Sequence, residues 1–269
     1  MSFTPFQPRI RQDHVETSDH TGYGIVIVEH VALLSPTSKL PELEVIDFEL
    51  IKQRDSTEIQ KLVRISSTTG IFFLDLRGPS SKQTLVNLKA IYEAEDEFFN
   101  RPLSEKLVHH EDGLNRGYTH RNSVDVFQIS REAQLKGELR FPAGLEAVRS
   151  QIEQVVSFSN AALRDLYQVL SLGLEPPASI EEGNDPEKPG RSELTLARWS
   201  AHVKEVIVPE HRDEGLLSIL YYEAPHLEIQ KKAKNGWILV QPSEGLHPVV
   251  VQAGYTAAVA SYLLHPGLA

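Results

Sequence analysis

The chain has 269 residues, of which 41% are apolar and 24% charged, enough for one large domain or two small ones around a real core. A formal charge of −10 disfavours nucleic acid and anionic membranes as partners. The absence of cysteine excludes disulfides, thiolate metal sites, iron–sulfur clusters and a cysteine nucleophile. The opening MSFTPFQPRIRQDH lacks the apolar core of a signal peptide. GIVIVEHVALL (24–34), broken by Glu29 and His30, is too short to cross a bilayer. The expectation is a soluble, cytoplasmic protein.

Residues 1–40 form a polar N-terminal extension, rich in turn formers and interrupted by the β-branched run Ile25 to Val28. PELEVIDFELI (41–51) reads as a short buried strand. STEIQKLVRISSTTG (56–70) reads as a helix with Ser56 as its cap and Gly70 as its stop. IFFLDL (71–76) is a further buried strand. In SSKQTLVNLKAIYEAEDEFFN (80–100), Leu85, Leu88, Ile91, Tyr92, Phe98 and Phe99 approximate one helical face, with the acidic run EAEDE expected in solvent. A longer helix is predicted over 144–174, from apolar residues at periods of three and four between Leu145 and Leu170.

Residues 176–193 are dense in Pro, Gly and charge and predict an exposed loop. Beyond it the texture changes to short alternating runs roughly ten residues apart, the spacing of a sandwich or closed barrel. They are LTLARWS, KEVIVPEH, LLSILYY, HLEIQ, GWILVQP, HPVVVQAG and TAAVASYLL, with Asn235-Gly236 as a hairpin signal. The expected organisation is an N-terminal α/β layer over 41–175 and an all-β core over 194–269, forming one cooperative unit.

At the head of one of these runs, His211 and Asp213 sit two apart. On a strand, residues i and i+2 share a face, so imidazole and carboxylate can converge on one divalent metal. Eleven histidines among 37 acids produce such pairs by chance, so the pair alone favours an ordinary strand end. No glycine-rich dinucleotide or phosphate loop and no G-x-S-x-G elbow occurs.

The context is more specific. HRDEGLLSILYY, then HLEIQ, then NGWILV, then VVVQAG resembles, in order and spacing, the iron(II)/2-oxoglutarate-dependent dioxygenases of the isopenicillin N synthase type. ELEVIDFELI, TTGIFFLDL, FFNRPLSEK (98–106), NRGYTH (115–120), VDVFQISRE (124–132) and LTLARWS resemble that family's earlier segments. The resemblance covers roughly residues 41–254 and implies a double-stranded β-helix, or jelly roll, with a helical N-terminal layer. It implies an oxygenase using Fe(II) and 2-oxoglutarate to oxidise a small metabolite, in specialised metabolism. His211 and Asp213 would be iron ligands, with His265 as the third. Arg116, Tyr118 and Phe127 would lie at the substrate entrance, with loop packing as their alternative role. Trp199 would line the barrel interior or serve as core packing.

The sequence departs from that pattern in three places. His265 is followed by Pro266 and Gly267, where the family has Arg-Val. The R-x-S motif that anchors the co-substrate's far carboxylate is not found, so the last barrel strands are expected to be missing. Ala197 and Trp199 stand where the family has a co-substrate-binding Asn and Tyr, and strand alternation turns Arg198 the other way. Three accounts stay open. His265 or another histidine completes the site; or the chain is an altered homologue that binds a small molecule or partner without oxygen chemistry. In the third account, the barrel is completed by the GIVIVEHVALL strand or by a partner subunit, a homodimer covering the open edges.

Overall fold

The computed structural model describes residues 23–29, 43–111, 116–121, 124–172, 193–199, 217–222, 227–231, 236–240 and 249–253. The first element is strand β1 (Tyr23–Glu29). Next come β2 (Val45–Asp47) and α1 (Phe48–Lys52), so the run expected as one strand breaks after three residues. The cause is Asp47, whose side chain accepts the backbone N–H of Leu50 at 3.1 Å and starts a helix. Helix α2 (Ser56–Thr68) is capped by Asp55 and not by Ser56, because the Asp55 carboxylate takes the N–H groups of both Thr57 and Glu58. Gly70, at φ 69°, donates to the carbonyl of Ile65 and ends that helix as expected.

Strand β3 (Ile71–Asp75) leads into α3 (Lys82–Phe99) and α4 (Leu103–Leu107). Three antiparallel strands follow, β4 (His110–Glu111), β5 (Arg116–Arg121) and β6 (Val124–Ser130). Helices α5 (Arg131–Leu135), α6 (Ala143–Glu146) and α7 (Arg149–Leu172) come next. The β-rich half contributes β7 (Glu193–Trp199), β8 (Leu217–Tyr222), β9 (Leu227–Lys231), β10 (Gly236–Val240) and β11 (Val249–Ala253). Strands β9 and β10 pair antiparallel, as expected of the hairpin that Asn235-Gly236 signals.

Among the described residues, the main sheet has nine strands in the order β2-β3-β11-β8-β1-β7-β6-β5-β4. Strand β1, the N-terminal run that the sequence offered as a substitute barrel strand, lies between β7 and β8 and parallel to both. The expected strands over 204–211 and 256–264 lie outside the described residues.

One face of this sheet carries the helices. Phe72 and Leu74 of β3, Phe127 and Ile129 of β6, Leu194 and Leu196 of β7, and Leu217, Ile219 and Tyr221 of β8 join one buried cluster with α3 and α7. The helices supply Leu88, Ile91, Phe98 and Phe99 from α3 and Ile152, Val155, Leu163 and Leu166 from α7, the faces their periodicity predicts. The acidic run departs from expectation at Glu95, which is buried (0% exposed). Helix α3 packs against α6, α7 and β1, so its acidic stretch does not all reach water.

Phe98 joins α3 to the β5–β6 hairpin. Its ring stands edge-on to Tyr118 at 5.9 Å and to Phe127 at 5.8 Å, and lies 5.2 Å from Phe99. Such pairs add about 0.5–1.5 kcal/mol each beyond the area they bury. Replacing Phe98 with Ala should lower unfolding stability by about 3–5 kcal/mol. Urea denaturation should show this as a lower midpoint with an unchanged slope; a loss under about 1 kcal/mol would mean that the ring is not a core element.

Candidate functional site

Strand β7 divides two environments. Leu194 and Leu196 belong to the helix-side core, and Arg198 reaches the same side, donating to Asn100 Oδ1 at 2.8 Å and to the Phe99 carbonyl at 2.6 Å. The guanidinium is therefore committed to α3, in the direction that strand alternation predicts. Thr195 and Ala197 point to the opposite face. Ala197, Phe73 of β3, Val124 of β6 and Ser218 of β8 are all buried, yet none belongs to the helix-side cluster. In each strand these residues alternate with core residues, so they form a second buried face. No titratable group is among the four, so this wall is uncharged.

Behind that wall lies a charged hub at Asp125, 8% exposed. Each of its carboxylate oxygens accepts from Lys106 Nζ at 3.1 Å, and Oδ1 also meets His120 Nδ1 at 3.0 Å and takes a short bond from the Tyr118 hydroxyl. Arg198 Nη2 approaches Oδ2 at 3.4 Å. Lys106 also donates to the Phe99 carbonyl at 2.8 Å and lies 5.3 Å from the centre of the Tyr118 ring. Burial pushes the Asp125 carboxyl up, but the bonds from Tyr118, His120 and Lys106 outweigh it and hold the group below the ordinary range. Burial, helped by the Asp125 charge, raises the Tyr118 phenol well above its usual value, so it stays a donor. The hub ties α4, β5, β6 and β7 together and sets the position of the strands that carry Val124 and Ala197.

The sequence-predicted residues separate in the structure. Tyr118 (0% exposed) and Phe127 (2%) face α3 in the core, which corrects their expected place at a substrate entrance. The reason is register: the two residues are paired across β5 and β6, and both share the face of Asp125. Arg116 pairs with Glu132 of α5 at 3.0 Å. Trp199 ends β7, aligned with Val124. His109 is half-buried, edge-on against Phe98 at 6.0 Å, and burial, with Arg101 nearby, lowers its pKa. His211, Asp213 and His265 lie outside the described residues. Among the described residues, no group of three His, Asp or Glu side chains could hold a metal ion.

The Asp125 hub was missed in the sequence, though a signal exists. Asp125, Phe127 and Ile129 fall on one strand face, and an acid in such a row has to be buried with partners. Removing that acid leaves Lys106 buried without its counter-charge, so Asp125→Ala should cost about 3–5 kcal/mol. The depressed pKa makes this stabilisation complete above the ordinary carboxyl value and lost as pH falls through the lower folded value. Wild type should therefore lose stability on acidification below about pH 5, and Asp125→Asn should lose less over that interval. Identical acid limbs in chemical denaturation would refute the assignment.

Comparison with known proteins shows what this chain is similar to. Residues 43–142 match the family described as non-haem dioxygenase in morphine synthesis, N-terminal. The chain is 25% identical over 230 residues to the 2-oxoglutarate-dependent dioxygenase frbH of Dothideomycetidae sp. (strain 11243), covering 80% of this chain and 70% of that protein. Among solved structures, a full-length Neurospora crassa protein in complex with alpha-KG superposes with a TM-score of 0.63 at 21% identity, over 84% of this chain and 76% of that one. The 2-oxoglutarate complex of AtDAO1, the dioxygenase for auxin oxidation 1 from Arabidopsis thaliana, gives a TM-score of 0.62 at 21% identity, over 81% of each chain. These structural likenesses carry the fold, the jelly roll of 2-oxoglutarate oxygenases. Taken with the sequence matches, they make the chain similar, in sequence and in fold, to the non-haem iron(II)/2-oxoglutarate-dependent dioxygenases of the isopenicillin N synthase type.

Proposed function

We propose that the chain is an iron(II)/2-oxoglutarate-dependent oxygenase that oxidises a small, partly apolar metabolite in specialised metabolism. The observation that carries this reading is the His211-x-Asp213 pair just ahead of β8, within a chain whose residues 43–142 match the dioxygenase family. The relative frbH is a 2-oxoglutarate-dependent dioxygenase, and the Neurospora crassa protein and AtDAO1 were solved with that co-substrate. These support 2-oxoglutarate as the co-substrate here.

His211 and Asp213 would hold the metal, and one imidazole with one carboxylate is a donor set suited to iron(II) with positions left open. His265 would be the third ligand. When bound, iron(II) with 2-oxoglutarate supplies the coupling of co-substrate decarboxylation by dioxygen to oxidation of a substrate C–H bond. The chain's own part is to exclude water and orient the substrate. Phe73, Val124, Ala197 and Ser218 provide a dry wall for that purpose. Arg198 is engaged by Asn100, Phe99 and Asp125, so the cation that receives the far carboxylate of 2-oxoglutarate is a different one.

Anaerobic titration with iron(II) and then 2-oxoglutarate should develop the visible charge-transfer band of the chelate. His211→Ala and Asp213→Ala should each abolish iron binding measured by calorimetry while leaving the far-UV circular dichroism unchanged. His265→Ala should do so as well if it closes the triad. Unchanged iron affinity in both His211→Ala and Asp213→Ala would sink the metal site. Iron binding without the band would favour the altered homologue that has lost its co-substrate.

A further inference from the structure

Strand β1 occupies an unusual place. Its residues Gly24–Glu29 are in register with Glu193–Arg198 of β7, and Tyr23–Val28 with Leu217–Tyr222 of β8, parallel on both sides. Strands β7 and β8 therefore run parallel to each other with a gap one strand wide between them. Without β1 the nine-stranded sheet separates into β2-β3-β11-β8 and β7-β6-β5-β4, each with a newly unpaired edge. Two facing rows of free N–H and C=O groups are a strong acceptor for an extended segment.

The occupant has the composition of a strand that adds to edges. Ile25, Val26, Ile27 and Val28 are consecutive β-branched residues without an interior charge. Parallel pairing on both sides is slightly weaker per residue than antiparallel pairing, which lowers the cost of withdrawal. In the sheet, β1 and β2 stand four strand spacings apart, about 19 Å. The fifteen residues between Glu29 and Val45 can extend to about 50 Å, so their length leaves slack for β1 to enter another molecule.

We propose that the gap between β7 and β8 is a strand-acceptor site whose exchangeable occupant is residues Tyr23–Glu29, taken from the same chain or from a second copy. The exchange gives a strand-swapped dimer in which each sheet is completed by its partner's N-terminal strand. Domain swapping of this kind reproduces every intrachain hydrogen bond between chains, so the dimer costs little beyond the entropy of association.

Because the chain has no cysteine, introduced thiols report the exchange directly. Val26 and Thr195 are register partners on β1 and β7, and neighbouring strands lie about 4.8 Å apart, within disulfide reach. Val26→Cys and Thr195→Cys made in one full-length chain should bridge within the monomer under mild oxidation. The two single variants should be mixed, warmed to just below their unfolding midpoint, cooled and oxidised. They should give a disulfide-linked species of twice the chain mass, absent when either is oxidised alone. The pair Gly24→Cys and Ser218→Cys repeats the test on the β8 edge in case the first pair perturbs folding. No mixed dimer from pairs that bridge fully within one chain would overturn the exchange. Failure of both double variants to bridge, with the fold intact, would overturn the acceptor site itself.

Discussion

The double pairing of β1 is the constraint on which the rest of the structure depends. A central strand of a sheet has to find hydrogen-bond partners for its backbone on both edges. Strands β7 and β8 come from the same half of the chain but stand one strand apart, and neither can close on the other. Residues 23–29 supply the missing backbone groups and convert two four-stranded pieces into one sheet. One face of that sheet carries the helices, and the other carries the buried Phe73, Val124, Ala197 and Ser218.

On the helix side, α3 and α7 press an apolar cluster against six strands, and the ionic hub at Asp125 is buried beside it. Ordinary packing alone would let the β5–β6 hairpin slide against α3, because aromatic side chains tolerate small shifts. The Asp125 carboxylate does not. Its donors come from α4, β5 and β7, with directions that only one register satisfies. The desolvation of these charges offsets much of their attraction, so the hub contributes more to position than to net stability.

That positioning bears on the site because β6 and β7 have two sides. Asp125 and Arg198 are held on one side, and by alternation Val124 and Ala197 are presented on the other. Any tilt of the hairpin would carry the wall with it. The same placement holds Arg198 on α3 and Asp125.

Much was legible in the sequence because it depends on local periodicity. The α3 and α7 faces and the strands at 71–75, 193–199, 217–222, 227–231, 236–240 and 249–253 follow from spacing within a single element. The direction of Arg198 followed from the same two-residue period. Tertiary structure decided what local pattern leaves open. Tyr118 and Phe127 are aromatic residues that suit a ligand wall or a core equally, and only their register opposite Asp125 and against Phe98 assigns them to the core. Glu95 looked like part of a solvated helix face because a sequence cannot show that α3 is covered on several sides. The place of β1 was open for the same reason: a β-branched run states that it will be a strand, but its neighbours are set by which edges remain unpaired when the rest of the chain has folded.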